Sequence, residues 1–170
     1  MMKSRLSTCR LGFCLLAVLL AGCFGIPTYP DTAPKNLTVR TQVNSGSKLT
    51  NVWANLDIHR VTADCDLDHI GRIELLPGSV DVGVSVDELR YLEFIFGRKV
   101  FMSSTSSAVR YGTLHIAKPG YVYDAQANYD SGIYSVVMRE ARQGTSNWKT
   151  MEQIPLKACK RYSANESKRK

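Results

Sequence analysis

The stretch SVDVGVSV, Ser79 to Val86, alternates valine with small or polar residues along its whole length. Successive side chains of a β-strand point to opposite faces, so a period of two places all four valines on one face. Asp81, Gly83 and Ser85 would then lie on the other face. The pattern predicts a half-buried strand whose valines pack against a core.

The same period recurs along the chain. Residues 37–43, 52–58 and 90–97 show it, and further strands are predicted over residues 109–116, 121–129 and 133–141, with a last one around residues 148–154. Pro-Gly pairs in LPGS and KPGY and the Asp-Ser-Gly of YDSGIY are typical of the turns between strands. Only the segment SVDELRYLEF, residues 85–94, also has helical spacing. About eight strands with short connections predict an all-β fold, either a single antiparallel β-sandwich or a small barrel.

The excess positive charge lies at the two ends of the chain. The formal net charge is +7, yet residues 23–156 carry 13 basic and 14 acidic side chains. A nucleic-acid-binding protein usually carries its positive surface on the folded domain. We therefore expect no nucleic-acid partner.

The first residues have the pattern of an export signal. The basic segment MMKSRLSTCR precedes LGFCLLAVLL, an apolar run of about ten residues that is too short for a membrane-spanning helix. The sequence LAGC that follows, Leu20 to Cys23, resembles the lipobox of bacterial lipoproteins. The resemblance implies that residues 1–22 are a cleaved signal peptide, that the Cys23 thiol carries diacylglycerol, and that the new amino terminus is acylated, for example with palmitate. The alternative is an ordinary signal peptide with an accidental cysteine.

The resemblance also implies a location. In this family an Asp after the lipidated cysteine is linked to retention at the inner membrane, and here Phe24 follows Cys23. We therefore expect a protein anchored through Cys23 to lipid of the outer membrane, facing the periplasm.

Two cysteines remain in the mature chain if the resemblance holds. Cys9 and Cys14 leave with the signal peptide and Cys23 is lipidated, so Cys65 and Cys159 are left in the oxidising periplasm. We expect one disulfide between them, which closes the domain. Two free thiols are the alternative.

The mature chain divides into three parts. Residues 23–36 contain the lipidated cysteine and three prolines, which predict an extended tether. Residues 37–159 form the predicted β domain. Residues 160–170 are basic and nearly free of apolar side chains, which predicts a disordered tail.

The acidic segment DCDLDHIG is a candidate metal site. Its metal-binding side chains are Asp64, Asp66, Asp68 and His69. The aspartates have the spacing of a calcium loop, but His69 stands where that loop needs glycine. A transition metal would use His69 with His59 or His115. The failed match favours a solvated acidic turn, so we predict no metal and no other cofactor.

Signatures of catalysis are missing from the sequence. It contains neither the G-x-S-x-G of a nucleophile elbow nor a glycine-rich phosphate loop. Asp87 and Glu88 are adjacent, so on a strand they would point to opposite faces and make a poor acid–base pair. We therefore predict that the protein is not an enzyme.

Four tyrosines are candidates for a recognition surface. Tyr121, Tyr123 and Tyr129 lie on one face of a predicted strand, and Tyr134 would lie beside them across the hairpin. Exposed, these rings would bind a sugar or a protein partner. Buried, they would form part of the core of the sheet.

The basic tail is a candidate for contact with anionic polymers. Its basic residues are Lys160, Arg161, Lys168, Arg169 and Lys170. Each Lys or Arg near a charged surface adds about 1 kcal/mol of attraction, so lipopolysaccharide and peptidoglycan are candidate partners. The terminal SKRK is similar to the ends of murein lipoproteins, which implies attachment to peptidoglycan through Lys170.

These features together predict a non-enzymatic binding or accessory module of an envelope protein assembly. A lipid anchor raises the effective concentration of such a module beside its partner. Two alternatives stay open: a lipoprotein that contacts peptidoglycan or another glycan, and an inhibitor of an incoming hydrolase such as lysozyme.

Overall fold

The structure is a computed structural model that describes residues 25–102 and 106–162. The predicted signal peptide, Cys23, and the end of the basic tail from residue 163 onward lie outside the described residues. None of the helices within these ranges has the length and apolar character needed to span a membrane.

Nine strands and one short helical segment make up the described chain. The strands are β1 (Leu37–Asn44), β2 (Thr50–Val61), β3 (Leu67–Leu75), β4 (Gly78–Val82), β5 (Leu89–Val100), β6 (Ser106–Ile116), β7 (Tyr121–Asp130), β8 (Ile133–Arg142) and β9 (Lys149–Thr150). A 3₁₀ turn, Leu156–Ala158, leads into a helical turn over residues 159–162.

The strands form two sheets. One has the order β4-β1-β7-β8-β9 and the other the order β3-β2-β5-β6. The ladders between named strands are antiparallel with one exception, since β1 pairs with β7 in parallel. The all-β prediction is confirmed, and the expectation of a purely antiparallel fold needs this one correction. β1 therefore lies between an antiparallel neighbour, β4, and a parallel neighbour, β7.

One apolar core joins the two sheets. Leu56 of β2 and Phe94 of β5 are fully buried in it, together with Val39 of β1 and Tyr123 and Ala125 of β7. Side chains from both sheets therefore pack against each other, which is a sandwich-like arrangement. Each of the eight predicted segments overlaps one of the observed strands.

The valine stretch that predicts a strand is only partly a strand. β4 ends at Val82, and Val84, which lies beyond the end of the strand, is also fully buried. Asn36 maintains this position, since its side chain donates to Val84 O and accepts from Val84 N, both at 2.8 Å. Val86 is 40% exposed, so the prediction that all four valines face the core is wrong for the last of them.

β3 is the strand that the sequence analysis missed. Gly71, Ile73 and Leu75 alternate on its core face, but Gly71 has no side chain to reveal the pattern. A Cβ at Gly71 would lie 2.5 Å from the Cα of Tyr29, so the close approach of the two backbones requires glycine there. A bulge at Ile70 then shifts the phase of the alternation, which hides the period of two.

The predicted tether over residues 23–36 belongs in large part to the folded domain. Arg72 N donates to Pro27 O at 2.8 Å, and Tyr29 N donates to Arg72 O at 3.0 Å, so this segment pairs with the edge of β3. The Tyr29 ring is buried in the core, and its hydroxyl donates to Gly83 O. From Pro27 onward, backbone pairing with β3 and burial of the Tyr29 ring therefore hold this segment against the domain.

The disulfide between Cys65 and Cys159 is confirmed. The two Cα atoms are 6.0 Å apart, and the cysteines are 94 residues apart in sequence. Cys65 lies in the turn between β2 and β3, and Cys159 follows the 3₁₀ turn. The bond fastens the carboxyl-terminal segment to the opposite side of the four-stranded sheet, where β3 is the edge strand.

Candidate functional site

A group of charged and imidazole side chains lies on the face of the four-stranded sheet that points away from the core. Its members, called the polar cluster below, are Asp57, His59, His69, Arg72, Glu93 and Arg110. They come from four adjacent strands, β3, β2, β5 and β6. Two aromatic rings cover neighbouring parts of the same face: Trp53 packs over Gly97, and Tyr91 packs over Gly112. Each ring lies so close to its glycine that an added Cβ would overlap it. The polar cluster is therefore enclosed at its sides by aromatic rings.

The shortest contact in the polar cluster is an ion pair between Asp57 and Arg72. Both carboxylate oxygens of Asp57 accept from Arg72, from Nε at 2.6 Å and from a terminal guanidinium nitrogen at 2.7 Å. Asp57 is only 5% exposed. Burial alone would raise the pKa of Asp57, but the hydrogen bonds and the charge of Arg72 outweigh it and hold this pKa below its ordinary value. The carboxylate is thus fixed in place and ionised.

A bulge brings two histidines together beside this carboxylate. Ile58 pairs with Gly71 but the next residue, His59, pairs with His69, so Ile70 is an extra residue on β3. Such a bulge re-aims the side chains that follow it. The two imidazole rings have centroids 5.0 Å apart.

The Nε2 atoms of both histidines are enclosed yet form no hydrogen bond within the described residues. Nε2 of His69 is 3.7 Å from Oδ2 of Asp57, and Nε2 of His59 is 3.8 Å from Oε2 of Glu93. Burial, with the neighbouring His69 adding to it, lowers the pKa of His59 below that of a free histidine. His59 is therefore neutral at neutral pH. On the far side of Glu93, Arg110 donates to the same oxygen at 2.8 Å.

Asp57, His59 and His69 have ligand atoms that all lie within 4.8 Å of one another. Among the described residues, these three form a group of His and Asp side chains that is close enough together to hold a metal ion. Sequence analysis identified His69 and its pairing with His59, but it missed Asp57. The signal for Asp57 is its position two residues before His59, which places both on one strand face.

The three aspartates of the predicted acidic site do not join His69. Asp64 and Asp66 are exposed in the turn before β3, and Asp68 lies 3.6 Å from Arg60. His115 does not join His69 either. It is buried between the sheets, with the centroid of its ring 4.5 Å from that of Tyr123. The expectation of a solvated turn agrees with the exposure of these aspartates.

The four tyrosines do not form one recognition surface. Tyr123 and Tyr129 are 1% and 6% exposed and belong to the core, and Tyr121 is partly buried against it. Tyr134, which lies opposite Tyr129 in the ladder, is 43% exposed. The buried alternative therefore holds for Tyr123 and Tyr129, because their face of β7 is the face that packs on the other sheet.

A second candidate site is an apolar patch at one end of the molecule. Its members, called the apolar tip below, are Leu49, Val100, Phe101 and Met102, and these side chains are 63%, 38%, 71% and 93% exposed. Phe101 N donates to Leu49 O at 2.7 Å, which ties the loop before β2 to the end of β5. A groove of about 620 Å³ runs between them and is also lined by Lys48 and Lys99.

The described part of the basic tail has no site of its own. Lys160 and Arg161 are exposed on the helical turn after the disulfide. Lys168, Arg169 and Lys170 lie outside the described residues, so contact of the tail with peptidoglycan or lipopolysaccharide stays a prediction.

The comparisons with known proteins give the fold and the two candidate sites no family context. No protein-family model matches the chain, and a search of curated proteins returns no matching relative.

Proposed function

We propose that this chain is a non-enzymatic binding module, held at a bacterial membrane by lipid on Cys23, that docks an envelope protein on its apolar tip. The observation that carries this proposal is the tip itself. Large apolar side chains that are scattered singly over a surface need no explanation, but a contiguous patch with a polar rim is typical of an interaction site. Phe101 and Met102 are the two most exposed members of the patch.

Two features support an envelope location. Leu20-Ala21-Gly22-Cys23 resembles a lipobox, and the Cys65–Cys159 disulfide suits a chain that folds in an oxidising compartment. A disulfide of this kind persists in the bacterial periplasm, whereas thiols stay reduced in the cytosol.

The short distance from Cys23 to the folded domain supports a particular orientation. Pro27 is already bound to β3, and the four residues from Cys23 to Pro27 span at most about 14 Å. A lipid on Cys23 would therefore hold the domain close to the membrane surface rather than on a long tether.

The apolar tip lies at the end of the sheet away from that attachment. The segment around Thr28 runs parallel to β3, so the residues before it leave toward the end of β3 that carries Leu67. Thr28 pairs with Arg72, and Arg72 pairs with Asp57 of β2. From Asp57, β2 runs seven residues, about 23 Å, to Thr50 beside the apolar tip. This geometry favours a partner on the side away from the anchoring membrane.

The rim of the tip indicates the chemistry of the partner. Lys48, Arg98 and Lys99 are exposed there, next to the apolar side chains. We therefore expect a protein surface with an apolar centre and acidic side chains around it, since opposite charges at the rim steer and orient docking.

Site-specific photo-crosslinking in membranes tests the docking site. Replacing Met102 by a photo-reactive amino acid in the full chain should give a protein adduct of defined mass, and the further change Phe101→Asp should abolish it. The matched control places the same photo-reactive residue at Val137, which is 41% exposed on β8. An adduct formed with lipid only, or the same protein adduct from position 137, would contradict the proposal.

Mass spectrometry of the amino-terminal fragment tests the anchor. The purified chain should begin at Cys23 and carry the mass of diacylglycerol and one further acyl chain. Cys23→Ala should remove that mass, while Cys65→Ala should leave it unchanged. A free thiol at Cys23 in the native product would disprove lipid anchoring without affecting the crosslinking result.

A further inference from the structure

The donor set formed by Asp57, His59 and His69 is that of a transition-metal site. Two imidazole nitrogens and one carboxylate oxygen suit zinc and the other divalent first-row metals. Calcium and magnesium take oxygen ligands almost exclusively, so two imidazoles select against them.

The arrangement of these atoms meets the demands of a single ion. The three ligand atoms lie within 4.8 Å of one another, which is the range in which small side-chain rotations bring them to a common centre. Nε2 of His69 lies 3.7 Å from Oδ2 of Asp57, and neither this atom nor Nε2 of His59 has a hydrogen-bond partner in the described residues. Two buried nitrogens of this kind on adjacent strands are costly unless something binds them.

Outer contacts already hold one of the ligands as metal sites require. Arg72 fixes the Asp57 carboxylate through two hydrogen bonds, and partners of this kind orient metal ligands in known sites. The bulge at Ile70 is a second device of the same kind, because without it His69 would not lie opposite His59.

We propose that Asp57, His59 and His69 bind one divalent transition-metal ion of the zinc type. Three protein ligands leave a further coordination position, as in zinc sites that keep a water molecule. The charged members of the polar cluster, Asp57 and Glu93 against Arg72 and Arg110, cancel formally. A divalent ion would therefore give the polar cluster a net charge of two positive units. For this reason we expect a lower metal affinity than that of a closed structural zinc site.

Titration of the full chain with Zn²⁺ against a chromophoric chelator tests the proposal. The protein is purified in detergent without a histidine tag, so that His59, His69 and His115 are its only imidazoles. We expect one equivalent of Zn²⁺ to bind, and we expect Co²⁺ at the same site to give visible d–d absorption.

The variants that decide the test are His59→Gln and His69→Gln. Each should lower the Zn²⁺ affinity at least roughly 100-fold, since changes of outer-shell partners alone cost about 10- to 100-fold. Asp68→Asn is the matched control: it removes an exposed carboxylate next to His69 and should change the affinity by less than about twofold. Circular dichroism of each variant checks that the fold is kept.

A second readout does not depend on affinity. In long-range ¹H–¹⁵N spectra of the imidazoles, Zn²⁺ should shift the Nε2 signals of His59 and His69 and leave His115, which is buried elsewhere, unchanged. The proposal is overturned if the parent chain binds no Zn²⁺, or if both histidine variants bind it as tightly as the parent.

Discussion

His115 is a buried titratable residue with an unusual environment. Its ring is 1% exposed, packs edge-on against Tyr123, and has no hydrogen bond to either nitrogen within the described residues. Burial lowers the pKa of His115 to about 4, and the charge of Lys118 acts in the same direction. The folded protein therefore keeps this histidine neutral well below the pH at which the unfolded chain protonates it.

We predict that His115 weakens the protein in acid. Between pH 6.5 and about 4 the unfolded state binds the extra proton and the folded state does not, so stability falls as pH falls through this range. From pH 7 to pH 4.5 the loss should be roughly 2 kcal/mol in the free energy of unfolding. Urea unfolding of the parent and of His115→Leu at both pH values measures it.

The comparison between the two proteins isolates His115 from other titrating groups. His59 also has a lowered pKa, and carboxylates such as Asp57 lose their native pairing at lower pH, but both contribute equally to parent and variant. An equal loss of stability in the parent and in His115→Leu would show that this residue does not titrate as its burial implies.

The hairpin between β7 and β8 depends on the two residues of its turn. Asp130 pairs with Ile133, so Ser131 and Gly132 form a two-residue loop. Both have positive φ, 50° and 100°, as a type I′ turn requires. The DSG sequence predicts this hairpin because glycine adopts such angles without steric cost.

We predict that Gly132→Ala destabilises the protein by about 1–2 kcal/mol. The added Cβ meets no atom within 4 Å, so the cost comes from backbone conformation and not from a clash. Thermal or urea unfolding measures the change. Gly25→Ala is the control, since it also adds a methyl group in open space but at a residue whose φ is not in the left-handed region. Equal stabilities for the two variants would contradict the assignment of the turn.

In β3 and in β5, contacts with other segments decide the secondary structure, and the local sequence pattern does not. β5 forms despite the helical spacing of residues 85–94, because Leu92 and Phe94 are buried together on one sheet face. β3 escaped prediction because Gly71 and the bulge at Ile70 interrupt its alternation, and both features come from contacts with other segments. Local sequence therefore predicts a strand when each of its core-facing positions carries an apolar side chain and no bulge interrupts the alternation.

The disulfide acts on the whole molecule. It joins the β2–β3 turn to the carboxyl-terminal segment, across a sequence separation of 94 residues. That segment also runs along β6, since Leu114 N donates to Ile154 O and Gln153 Nε2 donates to Gly112 O. Part of its attachment therefore survives without the covalent bond.

We predict that the double variant Cys65→Ala, Cys159→Ala loses about 3 kcal/mol of stability. The reason is the greater conformational freedom of the unfolded chain when the loop is open, for which about 4.5 kcal/mol is the upper bound in the chain-entropy model. Urea unfolding with and without reductant measures the loss. Reductant should destabilise the parent and leave the double variant unchanged; a parent that is insensitive to reductant would argue against a stabilising role.

Periodicity and turn residues were sufficient for the fold class, eight of the nine described strands and the main hairpin. These features depend on side-chain alternation and turn residues, which are local properties of the sequence. The disulfide and the lipid anchor were predicted instead from the resemblance of residues 20–23 to a lipobox. The disulfide is confirmed, and the anchor stays a prediction because Cys23 lies outside the described residues.

The two candidate sites, by contrast, depend on contacts between distant segments. Asp57 and His59 share a strand face, as alternation alone requires, but His69 reaches them only through a bulge in the neighbouring strand. The apolar tip likewise joins Leu49 to Phe101, more than fifty positions later in the chain. Such sites form when strand pairing and register bring remote residues together, and the energy that selects the register comes from the shared core rather than from the site residues themselves.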